Sequence, residues 1–307
     1  QTVKIRLEQL PLGGQTLAVL RESQWVPLTT VAAALGSVSP KLTANLGDMI
    51  TFLEGGPSLR AEVEQLLTRA EPLLPGLSQR PPPTVLLPFQ PRSFRDFMLY
   101  EGHVTAAGRG YAKRFLPKLW PFLNAYEKIV GKPHPKLRPK PLWYEHPIYY
   151  MGSHINVFGD GDTVPWPNYC SALDYELELG VIVTQTLYNA TPEEACEAIG
   201  GFVVLNDFSA RDCQLAEMTS GFGPVKAKNF ANSISSCVVE ARDILPRIDE
   251  LAVNVKINGK TVAESTTQGM YYTLGEMVSY ASRGEKVVPG ELMGTGTIPG
   301  CCALENG

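Results

Sequence analysis

The stretch Asp174-Tyr175-Glu176-Leu177-Glu178-Leu179-Gly180-Val181-Ile182-Val183 sets two carboxylates into an otherwise apolar segment. It reads as a strand, and in a strand Glu176 and Glu178 point to the same face, about 7 Å apart. Two like charges so placed suit a solvated sheet face. On a buried face they are costly, because desolvation penalises each of them. A divalent cation removes that cost. Hard cations take oxygen ligands, so the pair then points to Mg²⁺, with Mn²⁺ or Ca²⁺ as alternatives, rather than to Zn²⁺.

The 307 residues allow about two domains. A hydrophobic fraction of 44% and a charged fraction of 19% are those of an ordinary globular chain with material for a substantial core. The net charge of −4 gives no global reason to expect nucleic acid or membrane as a partner. No apolar run reaches the ~18 residues of a membrane span, and the start carries no signal-peptide pattern. A cytoplasmic protein is expected, with its six cysteines reduced, since none forms a C-x-x-C pair.

Residues 1–85 read as a small leading α/β domain, with a strand at 17–20 and helical patterns at 29–35 and 59–74. The run Pro81-Pro82-Pro83 cannot enter a helix and marks a linker. In residues 86–307 strand signals dominate: 175–183, 200–205, a hairpin turning on Asn258-Gly259, and a glycine-interrupted strand at 291–298, with one helix at 272–281. No βαβ alternation and no G-x-G-x-x-G occurs, so a dinucleotide fold is not expected. The fold class is α+β and β-rich.

Residues 104–143 carry nine basic side chains (Arg109, Lys113, Arg114, Lys118, Lys128, Lys132, Lys136, Arg138 and Lys140) against one acid, Glu127. Their net +8 leaves −12 for the rest of the chain, since −4 minus +8 is −12. Aromatic residues are interleaved. The segment suits a positively charged lid over an anionic substrate, a solvated excursion anchored by its aromatics, or a nucleic-acid surface using phosphate contacts and stacking.

Three further segments hold candidate chemistry. In Asn206-Asp207-Phe208-Ser209-Ala210-Arg211-Asp212-Cys213-Gln214 an apolar strand ends and a helix starts near Ser209. Asp207 stands at the helix entrance, where an N-cap is its ordinary role, and Arg211 and Gln214 share a helix face. In Arg95-Asp96-Phe97-Met98-Leu99-Tyr100-Glu101-Gly102-His103 the seven-residue spacing places Asp96 and His103 two helical turns apart on one face. His103 is then either a structural histidine or a general base. Lys228, after a glycine-containing loop, is a surface lysine or a group that neutralises an oxyanion.

Taken together, these strings resemble the fumarylacetoacetate hydrolase family over residues 86–305: Arg95-Asp96-Phe97 with His103, Glu176-x-Glu178, the Asn206 to Gln214 segment, Lys228-x-Phe230, and Gly294-Thr295-Gly296-Thr297. The leading domain suits the family's longer members. The resemblance implies a catalytic domain of rolled mixed β-sheets, usually a homodimer. It implies metal binding by Asp96, Glu176, Glu178 and Asp207, with His103 as base and Arg211, Gln214 and Lys228 holding substrate oxygens. Tyr150 and Thr297 fall near the family's substrate-contacting positions. Members carry a glutamate that orients the base. Some place it three residues after the histidine, where this chain has Ala106, and others in a strand beyond the G-T-G-T segment; either the sequence is trimmed at Gly307, or Glu101 or Glu305 takes the task. The family's catalytic domain also runs on for further strands, and the connection 104–143 is long.

The implied chemistry is Mg²⁺-dependent hydrolysis of a carbon–carbon bond in a β-diketone or acylpyruvate-type oxo-acid. Decarboxylation or isomerisation of an oxo-acid would use the same enolate-stabilising site. A reading of another class is a metal-stabilised binding protein whose basic segment grips an anionic partner.

Overall fold

The computed structural model of the chain describes residues 2–77 and 79–307. The leading part forms β1 (Lys4–Gln9), β2 (Gln15–Arg21) and β3 (Gln24–Pro27), then α1 (Leu28–Leu35), α2 (Pro40–Ala44), α3 (Met49–Glu54), α4 (Gly56–Ala70) and α5 (Leu74–Leu77). Helix α4 stops four residues short of the apolar pattern, because Pro72 draws residues 71–73 into a 3₁₀ turn. The next elements are β4 (Val85–Leu86), β5 (Phe94–Phe97), α6 (Glu101–Phe115), α7 (Trp120–Val130), α8 (Pro141–Glu145), β6 (Tyr149–Gly152) and β7 (Val157–Phe158). Then follow β8 (Leu173–Asp174), β9 (Leu177–Val183), α9 (Pro192–Glu197), β10 (Ile199–Asp207), β11 (Ser209–Ala210) and α10 (Arg211–Thr219). The chain closes with β12 (Asn232–Ile234), β13 (Val238–Glu240), α11 (Ala241–Ile244), β14 (Ala252–Ile257), β15 (Lys260–Thr266), α12 (Leu274–Ala281), β16 (Leu292–Gly294) and α13 (Ala303–Asn306).

One mixed sheet organises these pieces, in the order β3-β2-β1-β13-β10-β9-β16-β5-β6. Strands β16 and β5 run parallel, and their neighbours on either side run antiparallel. Strand β1 joins the centre by pairing Lys4 with Val239 and Ile5 with Val238. The apolar core crosses that junction without a break, from Leu59 and Leu66 on α4 to Val203 and Leu205 on β10. A second core packs α9 and α12 over the other face of β9 and β10.

The hairpin β14–β15 turns on Asn258 and Gly259, both with positive φ, the geometry a two-residue loop between twisted strands requires. The glycine-interrupted strand is shorter than its pattern: only residues 292–294 join the ladder, and Gly296, at φ 82°, turns the chain away. One expectation is corrected. Asp96 and His103 do not share a helix. Residues 94–97 are all buried and pair on both sides, with β16 and with β6, so their backbone groups are satisfied as a strand. The helix begins only at Glu101, whose charge favours a first turn.

The basic segment is built of helices around a small core of Ala112, Leu123 and Leu137. Trp143 is buried beside it and its indole N–H donates to Met98 O at 2.6 Å. Helix α6 also packs on α13, and Gly110 makes that approach possible: a Cβ there would lie 1.9 Å from Leu304 O. Since Leu304 O is backbone, the helix α13 would have to move. Gly110→Ala is therefore expected to displace α13 and to destabilise the fold by about 1–3 kcal/mol, the cost of overpacking, while circular dichroism still shows a folded chain; an unchanged Tm would show that α6 and α13 accommodate the methyl group in place.

Candidate metal centre and active site

Three strands bring three carboxylates together. Asp96 comes from β5, Glu178 from β9 and Asp207 from the end of β10, and one oxygen of each lies within 4.8 Å of the other two. The ladder explains the convergence. Gly294 of β16 pairs with Asp96 on one side and with Gly180 on the other, while Glu178 on β9 faces Leu205, two residues before Asp207. All three acids are buried. Asp96 Oδ1, Glu178 Oε1 and Asp207 Oδ1 have no hydrogen-bond partner among the described residues. Buried polar atoms are ordinarily satisfied, so an orphaned oxygen on each member of so close a trio calls for a cation. Gly294 leaves the room: a Cβ there would lie 2.4 Å from Asp96 Oδ1 and 2.6 Å from Glu178 Oε2. An all-oxygen donor set fits a hard divalent ion.

The protonation states agree. Burial pushes the carboxyls of Glu178 and Asp207 well above the usual carboxylate range, and the charge of Asp96 pushes both further. Asp96 is also raised by burial, against the pull of the Lys228 ammonium. Glu176 behaves otherwise. It is as buried as its neighbours, yet Lys228 and then Arg211 hold it below the usual range. Its two oxygens sit 2.6 Å from Lys228 Nζ and 2.7 Å from Arg211 Nη1. Expected as a fourth ligand, Glu176 thus lies outside the trio of orphaned oxygens. It stands just before β9, where its own N–H donates to the Asn206 side chain at 3.0 Å.

Lys228 is buried and spends its three donors on Glu176, on Asp207 at 2.6 Å and on Ser209 at 2.7 Å. It supplies counter-charge in this arrangement and leaves no N–H for a substrate oxygen. Asp207 also accepts from the Tyr150 hydroxyl at 2.9 Å, and Glu178 accepts from the Gly296 N–H at 3.0 Å. Asp207 ends a strand and does not cap α10, whose first residue is Arg211.

His103 is buried on α6, and its Nδ1 makes a close contact with Glu305 Oε1. Of the two carboxylates expected for this role, Glu305 takes it, and Glu101 instead accepts from Tyr144 at 2.5 Å. The chain end is held in place: Asp174 accepts the N–H groups of Ala303 and Leu304, at 2.8 and 3.0 Å, and pairs with Arg211 at 2.9 Å. Arg211 therefore ties Glu176 to Asp174. Its Nη1 also donates to Gln214 Oε1 at 2.9 Å. Tyr111, read in the sequence only as one of the aromatics of the basic segment, donates to the same Gln214 oxygen at 2.5 Å. Burial pushes its hydroxyl up to about 12. With Oε1 doubly occupied, Gln214 has its amide N–H groups left to offer. No string in the sequence marks Tyr111, since its pairing with Gln214 depends on how α6 lies over α10.

Many of these groups line one cavity of about 500 Å³. Asp96, Glu176 and Glu178 form part of its lining together with His103, Tyr111, Tyr150, Arg211, Gln214, Lys228 and Thr297, whose buried hydroxyl is unpartnered. The basic segment contributes Lys136, Arg138, Lys140 and Trp143 to the wall. Among the described residues the three cations form no ion pair, and the Nε of Arg138 is buried without a partner. No helix of the described residues is long and apolar enough to cross a membrane.

Comparison with known proteins places the chain in a family. Residues 119–307 match the family described as fumarylacetoacetate (FAA) hydrolase C-terminal. A fumarylacetoacetase from Dictyostelium discoideum is 29% identical over 267 residues, covering 71% of this chain and 57% of that protein. An oxaloacetate tautomerase from Bacillus subtilis is 27% identical over 157 residues, covering 51% of each. The chain thus spans about half the length of these two relatives. Among solved structures, the fumarylacetoacetate hydrolase of psychrophilic Exiguobacterium antarcticum matches with a TM-score of 0.62 at 17% identity, over 97% of this chain and 88% of that one, a likeness of fold. Because the family match takes in more than half of its residues, the chain belongs to the fumarylacetoacetate hydrolase family.

Proposed function

We propose that this protein is a divalent-metal-dependent hydrolase, with Mg²⁺ as its ion, that splits a carbon–carbon bond in a small acylpyruvate-type oxo-acid. The observation that carries the reading is the trio of buried carboxylates with orphaned oxygens, two of which, Asp96 and Glu178, line one cavity together with His103, itself in contact with Glu305. Asp96, Glu178 and Asp207 would hold the ion, with Glu176 close by. Bound there, a divalent ion supplies Lewis acidity toward paired oxo oxygens.

The protein's own residues account for the rest. Glu305 engages Nδ1 of His103, which leaves Nε2 to take a proton from water. A carboxylate–imidazole pair is the arrangement that activates water, and this favours hydrolysis. The Gln214 amide, held by Tyr111 and Arg211, donates to an oxyanion as it forms. Lys228 keeps Glu176 charged and holds Asp207 in place. The Thr297 hydroxyl is available to the substrate. The unpaired Lys136, Arg138 and Lys140 favour an anionic substrate entering past a positively charged wall. Keto–enol interconversion of an oxo-acid, the activity named for the Bacillus subtilis relative, is a second reading of the same site.

His103→Ala is expected to lower kcat on an acylpyruvate at saturating Mg²⁺ by about 10²–10⁴-fold. Mass spectrometry of the wild-type products should show chain splitting with one oxygen gained from water. Undiminished turnover in the variant would remove His103 as base, and an unsplit tautomer as the only product would select the second reading.

The raised carboxyls give a second test. Their folded values lie above their unfolded ones. The protons they hold therefore stabilise the metal-free fold at low pH, and that contribution is lost as pH rises from the ordinary carboxylate range toward the raised values. Mg²⁺ competes with those protons. The gain in Tm from saturating Mg²⁺ should grow as pH rises above the ordinary carboxylate range, and a gain independent of pH would contradict the assignment.

A further inference from the structure

Beside the all-oxygen trio, the fold assembles a second cluster of a different chemistry. His103, Cys302 and Glu305 each offer one ligand atom, and the three atoms lie within 4.8 Å of one another. The set is one nitrogen, one sulfur and one oxygen. Such a mixture suits zinc or another borderline-soft ion, where the carboxylate trio suits a hard one. Ligands of a tetrahedral zinc, bound at about 2.0–2.3 Å, stand roughly 3.3–3.8 Å from each other; Cys302 Sγ lies 3.7 Å from Glu305 Oε1, while His103 Nδ1 and Glu305 Oε1, now in closer contact, would separate to admit the ion. The frame is already rigid. Glu305 Oε2 accepts the Gly300 N–H at 2.5 Å, and Asp174 holds the start of α13 through two backbone N–H groups. Cys302 is fully buried, while His103 lines the cavity and opens a route for an ion.

We infer that His103, Cys302 and Glu305 form an inhibitory site for Zn²⁺, separate from the carboxylate trio, that switches the enzyme off. Coordination releases the Cys302 thiol proton to solvent, since the thiolate is the ligand. Zinc takes Nδ1 of His103, the nitrogen that faces Glu305. The ring's single proton, held on Nδ1 toward Glu305 in the active pair, moves through solvent to Nε2, so no lone pair remains there to accept one from water. Glu305 is drawn onto the same ion, and the pair that activates water is dismantled. Ion binding stands independently of the proposed reaction. The loss of turnover rests on reading His103 as the base.

The test uses the full chain loaded with Mg²⁺. Co²⁺ titration should give a thiolate-to-metal charge-transfer band at one equivalent per chain, and Zn²⁺ should abolish turnover over the same stoichiometry. Cys302→Ser removes the sulfur ligand. It should retain the Mg²⁺-supported activity, lose the band, and weaken zinc inhibition at least about tenfold, or ~1.4 kcal/mol. A band that persists in Cys302→Ser would place the ion on another cysteine and overturn the site. Anomalous scattering at the zinc edge from wild-type crystals locates the ion without any variant, and a peak away from these three residues overturns it equally. A band with turnover intact would overturn the switch and, separately, the role of His103 as base.

Discussion

Three buried carboxylates that lack a counter-ion of their own set the terms for the rest of this molecule. Taking even one charge out of water costs several kcal/mol unless it is paired. Here the one ammonium at the site, Lys228, pairs with Asp207 and with Glu176 and makes no ion pair with Asp96 or Glu178 among the described residues. The surroundings follow from that concentration of charge. Gly294 stays bare so that the oxygens can meet, the Gly296 N–H and the Tyr150 hydroxyl each satisfy one oxygen, and Arg211 anchors Glu176 from the other side. A fold that spent its stability only on packing would have no reason to collect these groups on three strands of one sheet.

The same arrangement ties the chemistry to the end of the chain. Asp174 precedes the acidic strand, accepts the first N–H groups of α13 and pairs with Arg211. Glu305 therefore reaches His103 from a helix whose position depends on the metal side of the cavity. Opposite, α6 carries His103 and Tyr111 on one surface and packs closely on α13 at Gly110. The long connection between His103 and β6 forms helices, and it gives the cavity its cationic wall.

Much of this was legible in the residues. The alternation of Glu176 and Glu178 identified the strand, the Asn258-Gly259 pair identified a hairpin, and the strings around Asp207 and Lys228 identified a family, because each depends on local chemistry. The Asp96–His103 spacing misled, since a seven-residue interval fits a helix as well as a strand followed by a helix, and only the ladder partners of residues 94–97 decide between them. Glu176 and Glu178 look equivalent in the chain, yet one faces Lys228 and Arg211 and the other faces the trio, a distinction that needs the positions of distant residues. Tyr111 and Glu305 acquire their partners only through the packing of α6 against α10 and α13.

The account stands on a shared ion, and Mn²⁺ binding measured by electron paramagnetic resonance addresses that most directly. One Mn²⁺ per chain should bind to the wild type, and Asp96→Asn, Glu178→Gln and Asp207→Asn should each weaken binding by at least about tenfold, or ~1.4 kcal/mol. Full-strength binding in all three variants, or no stoichiometric binding in the wild type, would contradict it.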